Sequence, residues 1–185
     1  MTRAVLVPSA LVLLPEYAGL VDPVPALRSA CTSAVAELVA EHPEVVGLIA
    51  APPRPDNVAR GVSSPAGQRV ARHLLSEVGW SGKVTGPAPG APLLVVGNGS
   101  ACRSDKAPGH LDARAPSFDA RLGAALVGRD VDALRALDPR LAEELWCFDV
   151  PAFARLAEVL PPGPPAEVLV DDDPFGVQYW VLTWP

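Results

Sequence analysis

Apolar runs alternate with segments of helical periodicity along the first half of the chain. The runs at 3–7, 44–50 and 92–97 are rich in Val, Leu and Ile, which is typical of buried strands. Between the first two runs, Asp22 and Pro23 form the predicted start of a helix. The apolar residues that follow recur at the spacing of one helix face: Val24, Leu27, Cys31, Val35, Leu38 and Val39.

Residues 51–97 continue this pattern with a second helix. A Pro- and Ser-rich stretch at 51–64 predicts a loop. A helix follows, which Ser64-Pro65 caps and which ends at Gly79. Residues 83–85 predict a brief edge strand before the stronger strand at 92–97.

The second half of the chain predicts a polar loop at 98–115, several short helices and a terminal hairpin. Each helix is predicted because a capping Asp or a Pro stands before an apolar segment. Residues 166–184 predict two strands around the turn-forming segment 172–176. The predicted helices run from Pro116 to about Val127, from Asp130, from Asp138-Pro139 to about Trp146, and from Asp149 to about Leu160.

This order of elements favours an α/β protein of three layers. A mainly parallel central sheet would carry helices on both faces, with an antiparallel hairpin at the C-terminal end. The length of 185 residues predicts a single domain, 1–185. Hydrophobic residues make up 49% and charged residues 19%, which is the composition of a globular protein.

Charge and apolar pattern exclude several classes of partner. The formal net charge is −6 and no basic stripe is present, so nucleic acid is not an expected partner. No apolar run reaches the length of a membrane span. Pro8 interrupts the apolar run after Arg3 and no small-residue cleavage site follows, so we do not expect a signal peptide. Three Cys without a C-x-x-C pair predict free thiols and a cytoplasmic protein.

The loop segment 97–106 (GNGSACRSDK) is the strongest candidate for ligand binding. It follows the carboxyl end of a strong strand, where ligands bind in open α/β sheets. Ser100, Ser104, Arg103 and Lys106 are suited to hold an anion. The segment does not match a dinucleotide fingerprint, a phosphate-binding P-loop or a nucleophile elbow. The alternative is a polar connecting loop with local hydrogen bonds.

The histidines and the remaining acids offer little catalytic chemistry. His42 ends a predicted helix, and His73 is placed to pair with Glu77 four residues later. His110 lies in the polar loop and is the one histidine we consider for function, whereas Cys102 lacks a placed base and is interpreted as an inert thiol. The acids at 171–173 suit a hard cation or a substrate amine, or else a solvated turn.

Three segments carry a family resemblance: 7–16 (VPSALVLLPE), 97–137 and 171–179 (DDDPFGVQY). Through them the chain resembles the subunit-B-like small members of the class III extradiol ring-cleavage dioxygenase superfamily, found in high-GC bacteria. The resemblance spans nearly the whole chain and is weakest between 51 and 90. It implies a three-layer α/β fold with a pocket at the strand ends and, in active members, Fe(II) held by two His and one carboxylate.

The chain departs from that family at two positions. Ser9 stands where the resemblance places the first ligand His, and Ala101 stands where it places a further His. Serine is a poor ligand for Fe(II) and alanine is none, so iron-dependent ring cleavage is expected to be lost. We therefore expect no cofactor, with Fe or another divalent metal as the alternative.

The leading hypothesis is a protein that binds a small polar or anionic ligand at the strand ends. A metal-dependent enzyme with a relocated site on His110 and 171–173 is one alternative. A non-catalytic assembly subunit that forms a homo-oligomer is another; there Trp180 and Trp184 would serve strand pairing, unless they pack in the core. The predicted ligand-binding residues are Ser9, Asn98, Ser100, Arg103, Lys106, His110, Asp172 and Tyr179.

Overall fold

A six-stranded mixed sheet forms the centre of the molecule in the computed structural model, which describes residues 3–17, 19–62 and 64–185. The order of its strands is β3-β2-β4-β1-β6-β5. Strands β3, β2, β4 and β1 are parallel, and β6 is antiparallel to both β1 and β5. The strands are β1 Ala4–Val7, β2 Val45–Ala50, β3 Lys83–Thr85, β4 Leu93–Val96, β5 Glu167–Asp172 and β6 Tyr179–Trp184. The predicted α/β fold with a mainly parallel sheet and a C-terminal antiparallel pair is confirmed.

Helices cover both faces of this sheet. Because side chains alternate along a strand, Val5 and Val7 of β1 join one apolar core, whereas Ala4 and Leu6 join the other. The first core packs against α1 and α3, and the second against α4 to α7. The helices are α1 Pro25–Glu41, α2 Pro55–Ala59, α3 Ala66–Glu77, α4 Ala115–Gly128, α5 Val131–Arg135, α6 Pro139–Glu144 and α7 Val150–Val159, with 3-10 turns at Leu11–Leu13 and Pro15–Tyr17.

The start of α1 differs from the prediction. The helix begins at Pro25, and Asp22 is not its cap. The Asp22 carboxylate instead accepts a hydrogen bond from the Val24 amide at 3.0 Å and one from Arg28 Nε at 2.8 Å. Arg28 also donates to the carbonyl of Leu13 at 2.8 Å, so Asp22 fixes the chain that enters the helix.

Two further predictions concern short helices. The stretch 51–64 was expected to be a loop, and the helix α2 inside it corrects that expectation. A proline at its first position and Asp56 in its first turn favour this helix, but one turn is too short to show periodicity. The caps of α5 and α6 are confirmed, since Asp130 accepts from the Ala133 amide and Asp138 from the Arg140 and Leu141 amides.

The terminal tryptophans pack in the core. Strand β6 lies between β1 and β5, so it is not an edge strand. Trp180 and Trp184 are both buried, and Trp184 Nε1 donates to the carbonyl of Leu126 at 3.1 Å. The core-packing interpretation is therefore confirmed, and strand pairing through these two residues is wrong.

Smaller predictions about cysteine and histidine side chains also hold. The three cysteines are free and buried, and burial raises the pKa of the Cys31 thiol to about 12. His73 Nε2 lies 3.5 Å from Glu77 Oε2, as the spacing predicts. In the described part of the chain, no helix is both long and apolar enough to span a bilayer.

Candidate functional site

A cavity of about 640 Å³ lies where several strands end together. Because β1, β4 and β2 are parallel, the residues after them meet at one edge of the sheet. These residues include Ser9 after β1, Ala51 after β2 and Asn98 after β4, and Tyr179 at the start of the antiparallel β6 joins them. The volume lies within the range of small-molecule sites, and carboxyl strand ends are their usual place in α/β sheets.

The lining of the cavity is mostly apolar, with a few polar side chains. Its polar and charged members include Ser9, Asn98, Asp149, Arg54 and Arg69. This mixture is typical of sites that enclose a small organic molecule and orient it with few hydrogen bonds. The apolar and aromatic lining includes Leu11, Val12, Ala51, Pro52, Pro53, Val62, Pro65, Trp146, Phe148, Val177 and Tyr179.

Three hydrogen bonds join Ser9, Asn98 and Asp149 into one cluster. Ser9 Oγ donates to Asp149 Oδ2 at 2.6 Å, and the Asn98 amide donates to the same oxygen at 2.9 Å. The Ser9 amide donates to Asn98 Oδ1 at 2.8 Å. The cluster therefore ties the ends of β1 and β4 to the start of α7.

Asp149 was predicted to cap α7, but its side chain instead accepts hydrogen bonds from Ser9 and Asn98. It occupies the position before Val150, but its carboxylate makes no capping hydrogen bond with the helix. The close approach of α7 to β4 depends on Gly97, where an added Cβ would lie 3.1 Å from Asp149 Cβ and 2.9 Å from the Phe153 ring. The carboxylate can thus reach Ser9 and Asn98.

Burial dominates the electrostatics of Asp149. Burial raises the pKa of this carboxyl above its ordinary value, and the hydrogen bonds from Ser9 and Asn98 oppose the shift only in part. No ion pair involves Asp149 in the part of the chain that the structure describes. The protonated form of Asp149 is therefore favoured more than that of a solvated aspartate.

Two arginines contribute positive charge to the cavity wall. The Arg54 guanidinium lies 3.7 Å from the centroid of the Phe148 ring and has no carboxylate partner among the described residues. Arg69 pairs with Glu16 and lies 5.8 Å from the centroid of the Tyr17 ring. Arg54 is thus the arginine of the cavity wall whose charge no described carboxylate balances.

The structure separates the predicted site residues into two groups. Ser9, Asn98 and Tyr179 line the cavity together. The other five predicted residues do not line it, so the expectation of a single pocket that includes them all is corrected. Whether any of the eight binds a ligand stays a prediction. The residues outside the cavity are Ser100, Arg103, Lys106, His110 and Asp172.

Ser100 and Arg103, the two central residues of the predicted loop, form hydrogen bonds and ion pairs with other parts of the fold. Ser100 is buried, its hydroxyl donates to Asp119 Oδ2 at 2.6 Å, and its amide donates to Asp119 Oδ1 at 2.8 Å. Arg103 Nη1 lies 3.4 Å from Asp119 Oδ2, and its Nε pairs with Asp173. Arg103 lines a separate depression of about 420 Å³ beside Trp180. Its charge is balanced within the protein and lies away from the cavity.

The remaining predicted residues are on the surface. Lys106 and His110 are exposed in the loop after β4, and Asp172 is exposed at the end of β5. His110 has a left-handed backbone, with φ at 59°. Asp171 accepts a hydrogen bond from Gln178 Nε2 at 2.7 Å, so part of the acidic run serves local structure.

Sequence reasoning missed Asp149, Arg54 and Trp146 as cavity residues. Asp149 carried the signal of a helix cap, and Arg54 lay in a stretch interpreted as a plain loop. Trp146 has φ at 56° and is 45% exposed at the cavity. A left-handed backbone at a bulky residue is uncommon and often marks a functional position, but only a structure reveals it.

The donor atoms of the cavity do not fit the iron site that the family resemblance implies. Ser9 and Ala101, which stand where imidazoles are implied, both line the cavity. The lining contains one carboxylate, that of Asp149, and no imidazole or thiolate among its described residues. In the ranges that the structure describes, no group of three or more His, Cys, Asp and Glu is arranged to hold a metal ion.

Fold and site together define a three-layer α/β protein with a cavity at the carboxyl edge of its sheet. Neither the family models nor the curated proteins contain a match to this chain.

Proposed function

We propose that the cavity binds a small organic anion, and that the chain is a divergent relative of the class III extradiol dioxygenases without iron-dependent ring cleavage. The observation that carries the proposal is Arg54, a guanidinium at the wall of a mostly apolar cavity with no carboxylate partner among the described residues. An anion enclosed there would supply the missing countercharge.

The charges of the cavity favour an anion over a cation. The charge of Arg69 is already paired with Glu16, whereas that of Arg54 is not. Burial favours the neutral form of Asp149, which reduces the negative charge that would otherwise oppose Arg54. Apolar walls lower the local dielectric, so the attraction between Arg54 and an anion is stronger than in water.

The shape and the walls of the cavity favour an organic molecule over an inorganic ion. Aromatic and aliphatic side chains surround the polar cluster, including Trp146, Phe148, Val177 and Tyr179. Removing an apolar ligand surface from water at these walls contributes roughly 25 cal/mol per Å². Free phosphate has no such surface and is expected to bind more weakly than an aromatic carboxylate.

The family resemblance supports the location of the site. The two positions where it implies imidazoles, Ser9 and Ala101, line this cavity rather than another part of the surface. In this proposal the ancestral pocket keeps its place at the strand ends. Hydrogen-bond donors and an arginine replace the metal as the groups that hold the ligand.

Isothermal titration calorimetry with sodium benzoate, benzamide and inorganic phosphate tests the proposal. Benzamide matches the shape of benzoate but has no charge. We expect saturable binding of benzoate, weaker binding of the other two, and a loss of about tenfold or more in benzoate affinity, or about 1.4 kcal/mol, in Arg54→Ala. The matched control is Arg140→Ala, because the Arg140 side chain is 89% exposed on α6.

Two outcomes would overturn the proposal. One is that none of the three probes binds. The other is that benzoate and benzamide bind equally well and Arg54→Ala changes neither affinity. A third variant, Lys106→Ala, addresses the loop site predicted from sequence, because Lys106 lies outside the cavity. If Lys106→Ala weakens benzoate binding and Arg54→Ala does not, the ligand binds at the loop and the cavity proposal fails.

A further inference from the structure

Two side chains of the cavity cluster have polar atoms without a hydrogen-bond partner among the described residues. The Asn98 side chain is oriented by the Ser9 amide, which donates to Asn98 Oδ1 at 2.8 Å. Since the oxygen occupies that position, Asn98 Nδ2 is left as a donor with no partner among the described residues. Asp149 accepts both of its hydrogen bonds on Oδ2, so Oδ1 has no partner within the same residues.

Asp149 is half-buried at the cavity, and its charge environment differs from that of the buried Asp119. Asp119 also accepts a serine hydroxyl at 2.6 Å and a backbone amide at 2.8 Å. Arg103 lies 3.4 Å from Asp119, whereas no arginine or lysine pairs with Asp149 in the described ranges. A carboxylate that is partly withdrawn from water and has no countercharge is costly, and binding a proton removes the charge.

The hydrogen bonds determine which oxygen of Asp149 carries the proton. Oδ2 already accepts hydrogen bonds from the Ser9 hydroxyl and from the backbone amide of Asn98. Oδ1 has its lone pairs free, so it is the oxygen that can take up a proton. A protonated carboxyl donates one hydrogen bond, so the cluster then offers two donors, Asn98 Nδ2 and Asp149 Oδ1, from residues that both line the cavity.

We propose that Asn98 Nδ2 and the protonated Oδ1 of Asp149 bind the oxygen atoms of the anionic ligand, so that the anion and one proton enter the site together. This inference rests on the proposed function and specifies its chemistry. The ligand class is a carboxylate or a similar oxyanion that only accepts hydrogen bonds at this end. In the complex the proton lies between Asp149 and the ligand oxygen, and it is taken from solvent whenever Asp149 is ionised in the free protein.

Other ionisable groups also lie around the cavity. Arg54 and Arg69 are the guanidinium groups, and a backbone hydrogen bond together with the hydrogen bond from Arg69 lowers the pKa of Glu16. Burial raises the pKa of Tyr179 to about 12, and it raises that of Cys147, which precedes α7, well above its ordinary value. Tyr17 also lines the cavity and is a phenol. The three histidines lie outside the lining: His42, His73 and His110.

The sign of the pH dependence follows from this assignment. The ligand binds the protonated form of Asp149, so its affinity is constant below the pKa of Asp149 in the free protein. Above that pKa, the affinity falls by about tenfold for each pH unit, because each unit lowers the protonated fraction tenfold. Asp149→Asn imitates the protonated carboxyl. The side-chain oxygen of the new asparagine accepts from the Ser9 hydroxyl and the Asn98 backbone amide, and its side-chain NH₂ donates in place of the protonated Oδ1.

Calorimetric titration of wild type with sodium benzoate, from about pH 5 to about pH 9, tests the inference. Repeating each titration in HEPES and in Tris, whose heats of ionisation differ, gives the number of protons taken up. We expect proton uptake that rises towards one per benzoate as the pH rises, together with the fall in affinity. Asp149→Asn should bind benzoate with no proton uptake and no pH dependence. His73→Gln is the control for imidazole titration and should behave like wild type.

The outcomes separate the inference from the proposed function. Benzoate binding without proton uptake, or with an affinity that rises with pH, overturns the inference and leaves the anion site intact. Proton uptake that persists unchanged in Asp149→Asn also overturns it, because the proton then binds elsewhere. Absence of benzoate binding at every pH overturns both. The wild-type measurement decides the uptake even if Asp149→Asn fails to fold, which its thermal melting curve would show.

Discussion

Replacing Ser100 by alanine removes one hydrogen bond from a carboxylate that the core almost completely encloses. Ser100 is 0% exposed and Asp119 is 2% exposed. The Ser100 hydroxyl donates to Asp119 Oδ2 at 2.6 Å, and Arg103 Nη1 lies 3.4 Å from the same oxygen. In Ser100→Ala this oxygen keeps only the longer contact with Arg103, and its burial leaves little room for water to replace the hydroxyl.

The expected loss of stability follows from the charge of the acceptor. Hydrogen bonds to charged groups contribute roughly 1.5–3 kcal/mol, and we expect a loss of about 2 kcal/mol at neutral pH. For a chain of this length, such a loss lowers the melting temperature by about 4–8 °C. The backbone amide of residue 100 still donates to Asp119 Oδ1, which keeps the loss below that of removing the carboxylate itself.

The loss should depend on pH with a defined sign. Burial raises the pKa of Asp119, and the hydrogen bonds from Ser100 oppose that shift. Ser100→Ala therefore raises the pKa of Asp119 in the folded state further above its unfolded value. A carboxyl of this kind stabilises the fold at low pH and loses that stability as the pH rises through its folded pKa. The deficit of the variant should grow from acid to neutral pH.

Urea unfolding measures this deficit, with tryptophan fluorescence as the signal, to which the buried Trp180 and Trp184 contribute. Ser117→Ala is the matched control, because the exposed Ser117 hydroxyl donates only to the carbonyl of Arg114, at 3.0 Å. The control should lie within about 0.5 kcal/mol of wild type. The reasoning is refuted if Ser100→Ala also lies within that limit at neutral pH, or if its deficit shrinks as the pH rises.

Three further predictions concern stability and accessibility. His110→Gly should stabilise the protein by about 0.5–1 kcal/mol, because φ at 59° strains a histidine more than a glycine and the side chain is exposed; an unchanged or lower urea midpoint would contradict this. Gly99→Ala should destabilise the protein by about 1–3 kcal/mol in the same assay. The added Cβ would lie 2.6 Å from Asp119 Oδ1 and 2.8 Å from the Trp180 ring. An unchanged urea midpoint would contradict this prediction. The free thiols of Cys31, Cys102 and Cys147 are buried, so they should react with Ellman's reagent only after urea unfolding. Rapid labelling of the native protein would contradict their burial.

The sheet was predictable from sequence because its central strands are buried on both faces. Such strands appear as continuous apolar runs, and those at 3–7, 44–50 and 92–97 correspond to β1, β2 and β4 within one or two residues. The helix α2 was not predictable in the same way. It is five residues long and has no buried residue, so it leaves no periodic pattern to detect.

Part of the cavity was predictable for a topological reason. Ser9 and Asn98 follow strands that end at the same edge, and chain order alone places such residues together. The pairing of Arg103 with Asp119 was not predictable. Asp119 lies on α4, and the sequence does not show which face of that helix meets the loop. Asp149 was assigned a local role because a helix cap needs only neighbouring residues, whereas its contacts with Ser9 and Asn98 depend on the tertiary fold.

Asp119 and Asp149 differ in how many of their hydrogen-bond acceptor atoms have partners within the protein. Both oxygens of Asp119 accept hydrogen bonds within the protein, and the Arg103 guanidinium lies beside it. Asp149 receives the same two kinds of donor on a single oxygen and no countercharge from the described residues. A partly desolvated carboxyl in that state is costly unless it is protonated and its proton finds an acceptor. Since Asp149 lines the cavity, an anion bound there would be that acceptor, which connects the stability of this cluster to occupation of the site.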